Sequence, residues 1–227
     1  MDPKQRTGEA AVELVTSNMV VGLGTGSTAD FFLVALSRAI GMGKIRNIRG
    51  IPTSKKSEHR AKDLGIPLVS LAQYPHPDIT IDGADEVNPR VDVIKGLGGA
   101  LLREKIVAQN SRQFVIIVDS SKRVDFLGQK SPLPVEVAIF GFETHEAFLK
   151  SLGGNPVLRK DATGSPFVTD NGNYIYDCRF TKIDKPAELQ QTIKTRAGIV
   201  ETGLFVGMAS AALIGSDGKV ETITRGG

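Results

Sequence analysis

Asp82, Asp85, Lys95 and Glu104 fall within one short stretch of the chain. They sit in Asp82-Gly83-Ala84-Asp85-Glu86 and in Lys95-Gly96-Leu97-Gly98-Gly99-Ala100-Leu101-Leu102-Arg103-Glu104. Carboxylates that share a cleft push their pKa values apart, which makes one a candidate acid and the other a candidate base. An ammonium group beside flexible backbone can steady negative charge on a substrate oxygen. Far upstream, Gly22-Leu23-Gly24-Thr25-Gly26-Ser27-Thr28 has the composition of an anion cradle. Together these segments describe proton transfer on a molecule gripped through a phosphate.

Each segment also has a plainer reading. Gly22 to Thr28 closes an expected strand and opens an expected helix, where free N–H groups hold an anion; the alternative is a tight turn capped by Ser27 or Thr28. Three alternating glycines exceed what a cap requires. A dinucleotide fingerprint would want Gly where Ser27 stands and an acid after Ile51, and a nucleotide P-loop would want Gly-Lys-Ser/Thr. Neither is present. Asp82 and Asp85 are acid and base at one mouth, an ordinary Asp-Gly turn, or ligands for Mg²⁺. Lys95 nearby supplies positive charge without a metal, so no metal site is expected.

On a helix starting at Gly99, the neighbours of Glu104 three and four positions away are Ala100, Leu101, Val107 and Ala108, so it has no helical ion-pair partner. An apolar face would raise its pKa into the range useful for proton abstraction. A solvated acid in the first turns of a helix fits the same local sequence. Lys95 is either an electrophile or a surface lysine, and Ser121-Lys122 offers a second phosphate contact after a strand. His59, His76 and His145 share no ligand spacing, and no Gly-x-Ser-x-Gly nucleophile motif occurs.

The elements that must position these groups alternate. Strands are expected at Met19–Leu23, Asn47–Ile51, Pro67–Leu71, Asp78–Asp82 and Phe114–Asp119, with helices at Thr28–Ile40, Lys55–Leu64 and Gly99–Asn110. This is an α/β pattern, a Rossmann-like, mostly parallel sheet with helices on both faces. Ligands bind such sheets beyond the carboxyl ends of the strands, where all three motifs fall. Gly128 to Pro134 interrupts the pattern. Beyond it come strand Val135–Phe140, helix Thr144–Leu152, strands Pro156–Arg159 and Tyr174–Phe180, and helix Pro186–Lys194, a smaller α+β, ferredoxin-like domain. A hairpin around Gly215-Ser216-Asp217-Gly218 returns to the first domain. The expected division is 1–128 with 198–227, and 129–197.

Composition narrows the classes. With 227 residues, 41% hydrophobic, core size is not limiting. A single cysteine, Cys178, allows no internal disulfide, and the N-terminus lacks an uncharged secretory run, so a cytoplasmic protein is expected. Runs such as Phe114–Val118 are too short to span a bilayer. The net charge of +3 is spread among 28 basic and 25 acidic residues, with no Trp and only three Tyr, which argues against nucleic-acid binding.

Gly-Thr-Gly-Ser-Thr at 24–28, Asp-Gly-Ala-Asp-Glu at 82–86 and Lys-Gly-x-Gly-Gly-Ala-Leu-x-Arg-Glu-Lys at 95–105 resemble ribose-5-phosphate isomerase, type A. Pro132–Val137 and Val168–Asn173 are similar to that family's second domain, so the resemblance covers nearly the whole chain. It implies interconversion of D-ribose 5-phosphate and D-ribulose 5-phosphate in the pentose phosphate pathway, with no cofactor or metal, by a dimer or tetramer. It implies Glu104 as the base that moves a proton between C2 and C1 through an enediolate. Asp82 and Asp85 would serve ring opening and hydroxyl binding, and Lys95 would steady the enediolate oxygen. Thr25, Gly26, Ser27, Thr28 and Lys122 would surround the phosphate, and Gly83, Ala84, Gly96, Leu97 and Gly98 would complete the substrate site. Leu97 departs from the family pattern, in which Gly or Arg is common.

Overall fold

A computed structural model describes residues 2–226. The first part of the chain reads α1 (Pro3–Ala11), β1 (Val20–Leu23), α2 (Ser27–Gly41), β2 (Arg49–Pro52), α3 (Lys55–Asp63) and β3 (Ile79–Asp82). Then come β4 (Glu86–Val87), β5 (Val93–Ile94), α4 (Leu101–Asn110) and β6 (Phe114–Asp119). A second group comprises β7 (Leu133–Val137), α5 (Thr144–Ser151), β8 (Asn155–Leu158), β9 (Tyr174–Arg179), α6 (Pro186–Lys194) and β10 (Ile199–Thr202). The chain closes with β11 (Leu204–Phe205), β12 (Ala211–Ser216) and β13 (Lys219–Thr224).

The six-stranded sheet runs β13-β12-β6-β3-β1-β2, parallel except for the β12–β13 hairpin. Residues of β6 show why both faces are covered. Val115 and Ile117 enter one apolar cluster with Phe32, Leu33 and Leu36 of α2, while Phe114, Ile116 and Val118 enter another with Val93 and Phe205. This period-two division is what a strand buried on both sides requires.

The smaller sheet, β10-β7-β9-β8, is antiparallel throughout and with α5 and α6 has the βαββαβ order of a ferredoxin-like unit. β10 begins beyond residue 197 and pairs with β7, so a division at 197 separates this strand from its sheet. β7 starts earlier than the expected Val135. Pro134 lacks an N–H, but its carbonyl accepts from Gly203, and the ladder continues through it.

The expected strand at Pro67–Leu71 is absent. Leu68 makes an isolated bridge to Gly50, and the chain then turns, with Gln73 and Tyr74 donating to the Ser70 carbonyl. A third sheet, β11-β5-β4, was not legible in the sequence, because two-residue strands are too short to show a period. Its β4 begins at Glu86, the last residue of the acid motif, and its β5 leads into the Lys95 loop.

Candidate active site

β3 ends at Asp82, whose residue is fully buried. Its Oδ1 accepts from the N–H groups of Thr25 and Gly83, both at 2.8 Å. The acid therefore ties its own loop to the glycine-rich loop after β1. Gly24 permits the approach, since a Cβ there would lie 2.4 Å from Asp82 Oδ1.

β5 delivers Lys95 to the same point. Its Nζ stands 3.2 Å from Asp82 Oδ2 and 3.1 Å from Glu104 Oε1, and it donates to the Gly83 carbonyl. Glu104 lies on the first turn of α4, only 4% exposed, and Lys95 is 2% exposed. Solvation therefore fails as a reading for both residues. Among the described residues Glu104 Oε2 has no hydrogen-bond partner.

Two buried carboxyls share one buried ammonium, and their charge states follow. Burial raises Glu104 to about 8; Lys95 opposes this shift and Asp82 adds to it. Burial likewise raises Asp82, against the pull of Lys95 and of the Thr25 and Gly83 amides. Burial alone would lower Lys95, but the carboxylates of Asp82, Glu104 and Asp85 outweigh it and hold the ammonium above its usual range. The cluster thus keeps a protonated lysine beside a carboxyl able to lose or accept a proton near neutrality.

Above these groups lies a cavity of about 110 Å³. It is lined by Thr25, Gly26, Ser27 and Thr28 from the loop after β1, by Gly83, Ala84 and Asp85 after β3, by Lys95, Gly96, Gly98 and Glu104, and by Lys122. Gly26, at φ +112°, turns the chain into α2, and no side chain caps that helix. The turn is therefore not the side-chain-capped alternative, and its N–H groups remain available to an anion. Asp82 sits beneath the lining rather than in it. Leu97 leaves its side chain 41% exposed and contributes its N–H, which donates to Asp85 Oδ2 at 2.9 Å. A larger hollow, about 700 Å³ against α1 and α2, shares none of these residues.

Glu86, last of the acid motif, has a different task. It is buried and accepts from the N–H groups of Gly128, Lys130 and Ser131, anchoring the passage into the smaller sheet. Cys178 lies in the core of that sheet, where burial pushes its thiol up. Sequence reasoning missed Thr53 and Ser54, whose hydroxyls hold Thr25 Oγ1 at 2.9 and 2.7 Å. Their signal is their place, at the end of β2 and at the N-cap of α3. Arg159 was also missed; its guanidinium donates to the carbonyls of Gly96 and Leu97.

Among the described residues no group of three or more His, Cys, Asp or Glu is arranged to hold a metal ion, and no helix is long and apolar enough to cross a membrane.

Known proteins share this architecture. The chain is 50% identical over 219 residues to ribose-5-phosphate isomerase A of Roseiflexus sp. (strain RS-1), covering 96% of this chain and 94% of that one. It is likewise 50% identical over 222 residues to the Gloeobacter violaceus protein of the same name, covering 97% and 95%. A solved D-ribose-5-phosphate isomerase in complex with phospho-erythronic acid superposes with a TM-score of 0.97 at 35% identity, over 99% of this chain and all of that one. The Methanocaldococcus jannaschii ribose 5-phosphate isomerase A superposes at 0.93 with 41% identity, over 98% of each chain. The family pattern of ribose 5-phosphate isomerase A (phosphoriboisomerase A) matches residues 49–219, and the chain belongs to that family of aldose-ketose isomerases.

Proposed function

We propose that this protein interconverts D-ribose 5-phosphate and D-ribulose 5-phosphate through an enediolate, with Glu104 as the base. The observation that carries the reading is the buried Glu104–Lys95–Asp82 cluster at a cavity that an uncapped helix N-terminus also lines. An aldose-ketose isomerisation needs a tuned base, an electrophile for the oxyanion and a grip on the remote phosphate.

In the direction from aldose to ketose, Glu104 removes the proton from C2 of the open-chain sugar and returns it to C1, while the hydroxyl proton of O2 passes to O1 so that C2 becomes the carbonyl. The charge that develops on the enediolate oxygens is met by Lys95, whose ammonium the carboxylates keep protonated. Asp85, which lines the cavity, serves ring opening and holds hydroxyls, while Asp82 beneath the lining acts through Lys95 and the Thr25 loop. Thr25, Gly26, Ser27 and Thr28, with Lys122, take the phosphate, and Gly83, Ala84, Gly96, Leu97 and Gly98 supply backbone around the sugar. Lys95 provides the positive charge a metal would otherwise bring, so neither metal nor cofactor is required. We propose further that the protein works in the cytoplasm, in the non-oxidative pentose phosphate pathway, as a dimer or tetramer.

The test is conversion of ribose 5-phosphate by purified protein in EDTA, with unphosphorylated ribose as control. Turnover of the phosphorylated sugar alone supports the reading; absence of turnover, or loss of turnover in EDTA, overturns it. A phosphogluconolactonase on the same scaffold would consume water and an amino-sugar-phosphate deaminase would release ammonia, so product analysis separates them.

A further inference from the structure

Arg159 follows the last residue of β8 in the smaller sheet, yet its guanidinium reaches the Lys95 loop. Nε donates to Asp177 Oδ2 at 2.9 Å and Nη2 to Asp177 Oδ1 at 2.5 Å, a bidentate fork that fixes the guanidinium plane. Nη1 has two hydrogens left to give. It donates to the Gly96 carbonyl at 2.9 Å and to the Leu97 carbonyl at 3.1 Å. The Arg159 side chain is 12% exposed, and the Phe167 ring lies 5.7 Å from its guanidinium carbon. Phe167 also fills the space over Gly99, where a Cβ would come within 2.6 Å of the ring.

A trans peptide points its carbonyl and its N–H in opposite directions, so whatever holds one aims the other. In the peptide joining Gly96 to Leu97, the carbonyl goes to Arg159 and the N–H to Asp85 Oδ2. The two side chains grip one peptide plane from its two ends. In the next peptide, Arg159 holds the Leu97 carbonyl, and the opposing N–H is that of Gly98. Among the described residues this N–H has no intramolecular partner, and Gly98 lines the cavity. The Gly96 carbonyl also accepts from Gly99, which closes the turn, whereas the Leu97 carbonyl has Arg159 as its donor.

We propose that Arg159 is a positioning residue: by holding two successive carbonyls of the Lys95 loop it presents the Gly98 N–H to a substrate oxygen and keeps Asp85 seated on the Leu97 N–H. The inference rests on the isomerase reading of the same cavity. It differs from a general domain contact, because other groups already make that contact. Arg103 donates to Asn171 Oδ1 and to the Asp170 carbonyl, and Lys55 N–H donates to Asp170 Oδ2.

The test combines kinetics with amide hydrogen exchange over residues 95–101 in full-length Arg159→Ala and Arg159→Lys. Arg159→Ala is expected to lose kcat by about 100-fold, the scale on which a small misplacement of catalytic groups acts. Exchange in the loop is expected to quicken, and guanidinium chloride at millimolar concentration to restore part of the rate. Arg159→Lys, which keeps the charge but not the fork, is expected to fall between; it carries the test if the alanine variant does not fold. Asn171→Ala loosens the domain contact without touching the loop and is expected to keep wild-type kinetics. Wild-type kinetics and exchange in either Arg159 variant, or an equal loss of kcat in Asn171→Ala, would overturn the proposal. A wild-type protein without turnover on ribose 5-phosphate would instead overturn the isomerase reading, with loop exchange still deciding whether Arg159 orders the loop.

Discussion

Glu104 Oε1 stands 3.1 Å from Lys95 Nζ, the acid on the first turn of α4 and the ammonium at the end of β5, with the glycine-rich loop between them. Both groups are almost fully out of water. Burial penalises both charges, and each lessens the penalty on the other without cancelling it for Glu104. The same proximity places a proton acceptor and an oxyanion stabiliser at one wall of the cavity.

Glu104→Gln keeps the shape of the side chain and removes the base. We expect kcat to fall by about 1,000-fold or more, with the KM for ribose 5-phosphate little changed. Steady-state kinetics on the folded variant decide this. A rate near wild type would mean the base is elsewhere.

The pH dependence of activity follows from the raised Glu104. The base must be ionised, so kcat/KM is expected to climb with pH and level off above about 8. The inflection belongs to the coupled cluster with Asp82 and Lys95 rather than to one group. A profile flat from about pH 6 to pH 9 would contradict it.

Stability should change in the opposite sense. The unfolded chain releases the Glu104 proton near 4.5, whereas the folded protein holds it to about 8. Between those values the native state binds more protons, so this group's contribution to stability falls as pH rises and is lowest above about 8. Glu104→Gln is therefore expected to melt higher than wild type at alkaline pH, with the difference shrinking towards pH 4.5. Thermal unfolding across that range checks it; an alkaline Tm below wild type would refute it.

Lys95→Ala leaves Asp82 and Glu104 facing each other without a counter-charge. A loss of about 3–5 kcal/mol is expected, typical of breaking a buried ion pair from one side, together with loss of turnover. Urea unfolding measures the first and the isomerase assay the second. A variant as stable as wild type would show that the cluster is not held by its charges.

Lys122→Ala tests the grip on the phosphate. Lys122, in the short turn after β6, lines the same cavity. The KM for ribose 5-phosphate should rise about tenfold, equivalent to about 1.4 kcal/mol, with stability unchanged. An unchanged KM would remove Lys122 from the phosphate site.

The local chemistry was legible in the chain itself. Alternating apolar runs and helical stretches specify β1, β3 and β6 with α2 and α4, because strand and helix periods differ and each needs a covered face. The motifs after β1 and at the end of β3 fall at the carboxyl ends of a parallel sheet, which brings Thr25, Asp82 and Asp85 to one end without further information, whereas Lys95 arrives from β5 of the small third sheet and Glu104 from α4. Gly24 could be read as a turn residue, but its closeness to Asp82 could not.

Burial and long-range pairing belong to the tertiary structure alone. Glu104 in the first turn of a helix is compatible with solvent or with a core, and the packing of α4 around Lys95 decides for the core and sets the carboxyl near 8. The two-residue strands β4, β5 and β11 have no periodic signal and exist because they pair with one another. Arg159 lies 63 residues from Gly96 and reaches it because β8 and β9 set its guanidinium over the loop. Sequence spacing conveys which groups can react, since residue type and local period are intrinsic to the chain. Which of those groups lose water, and what holds them still, depends on segments distant in sequence, and the fold settles it.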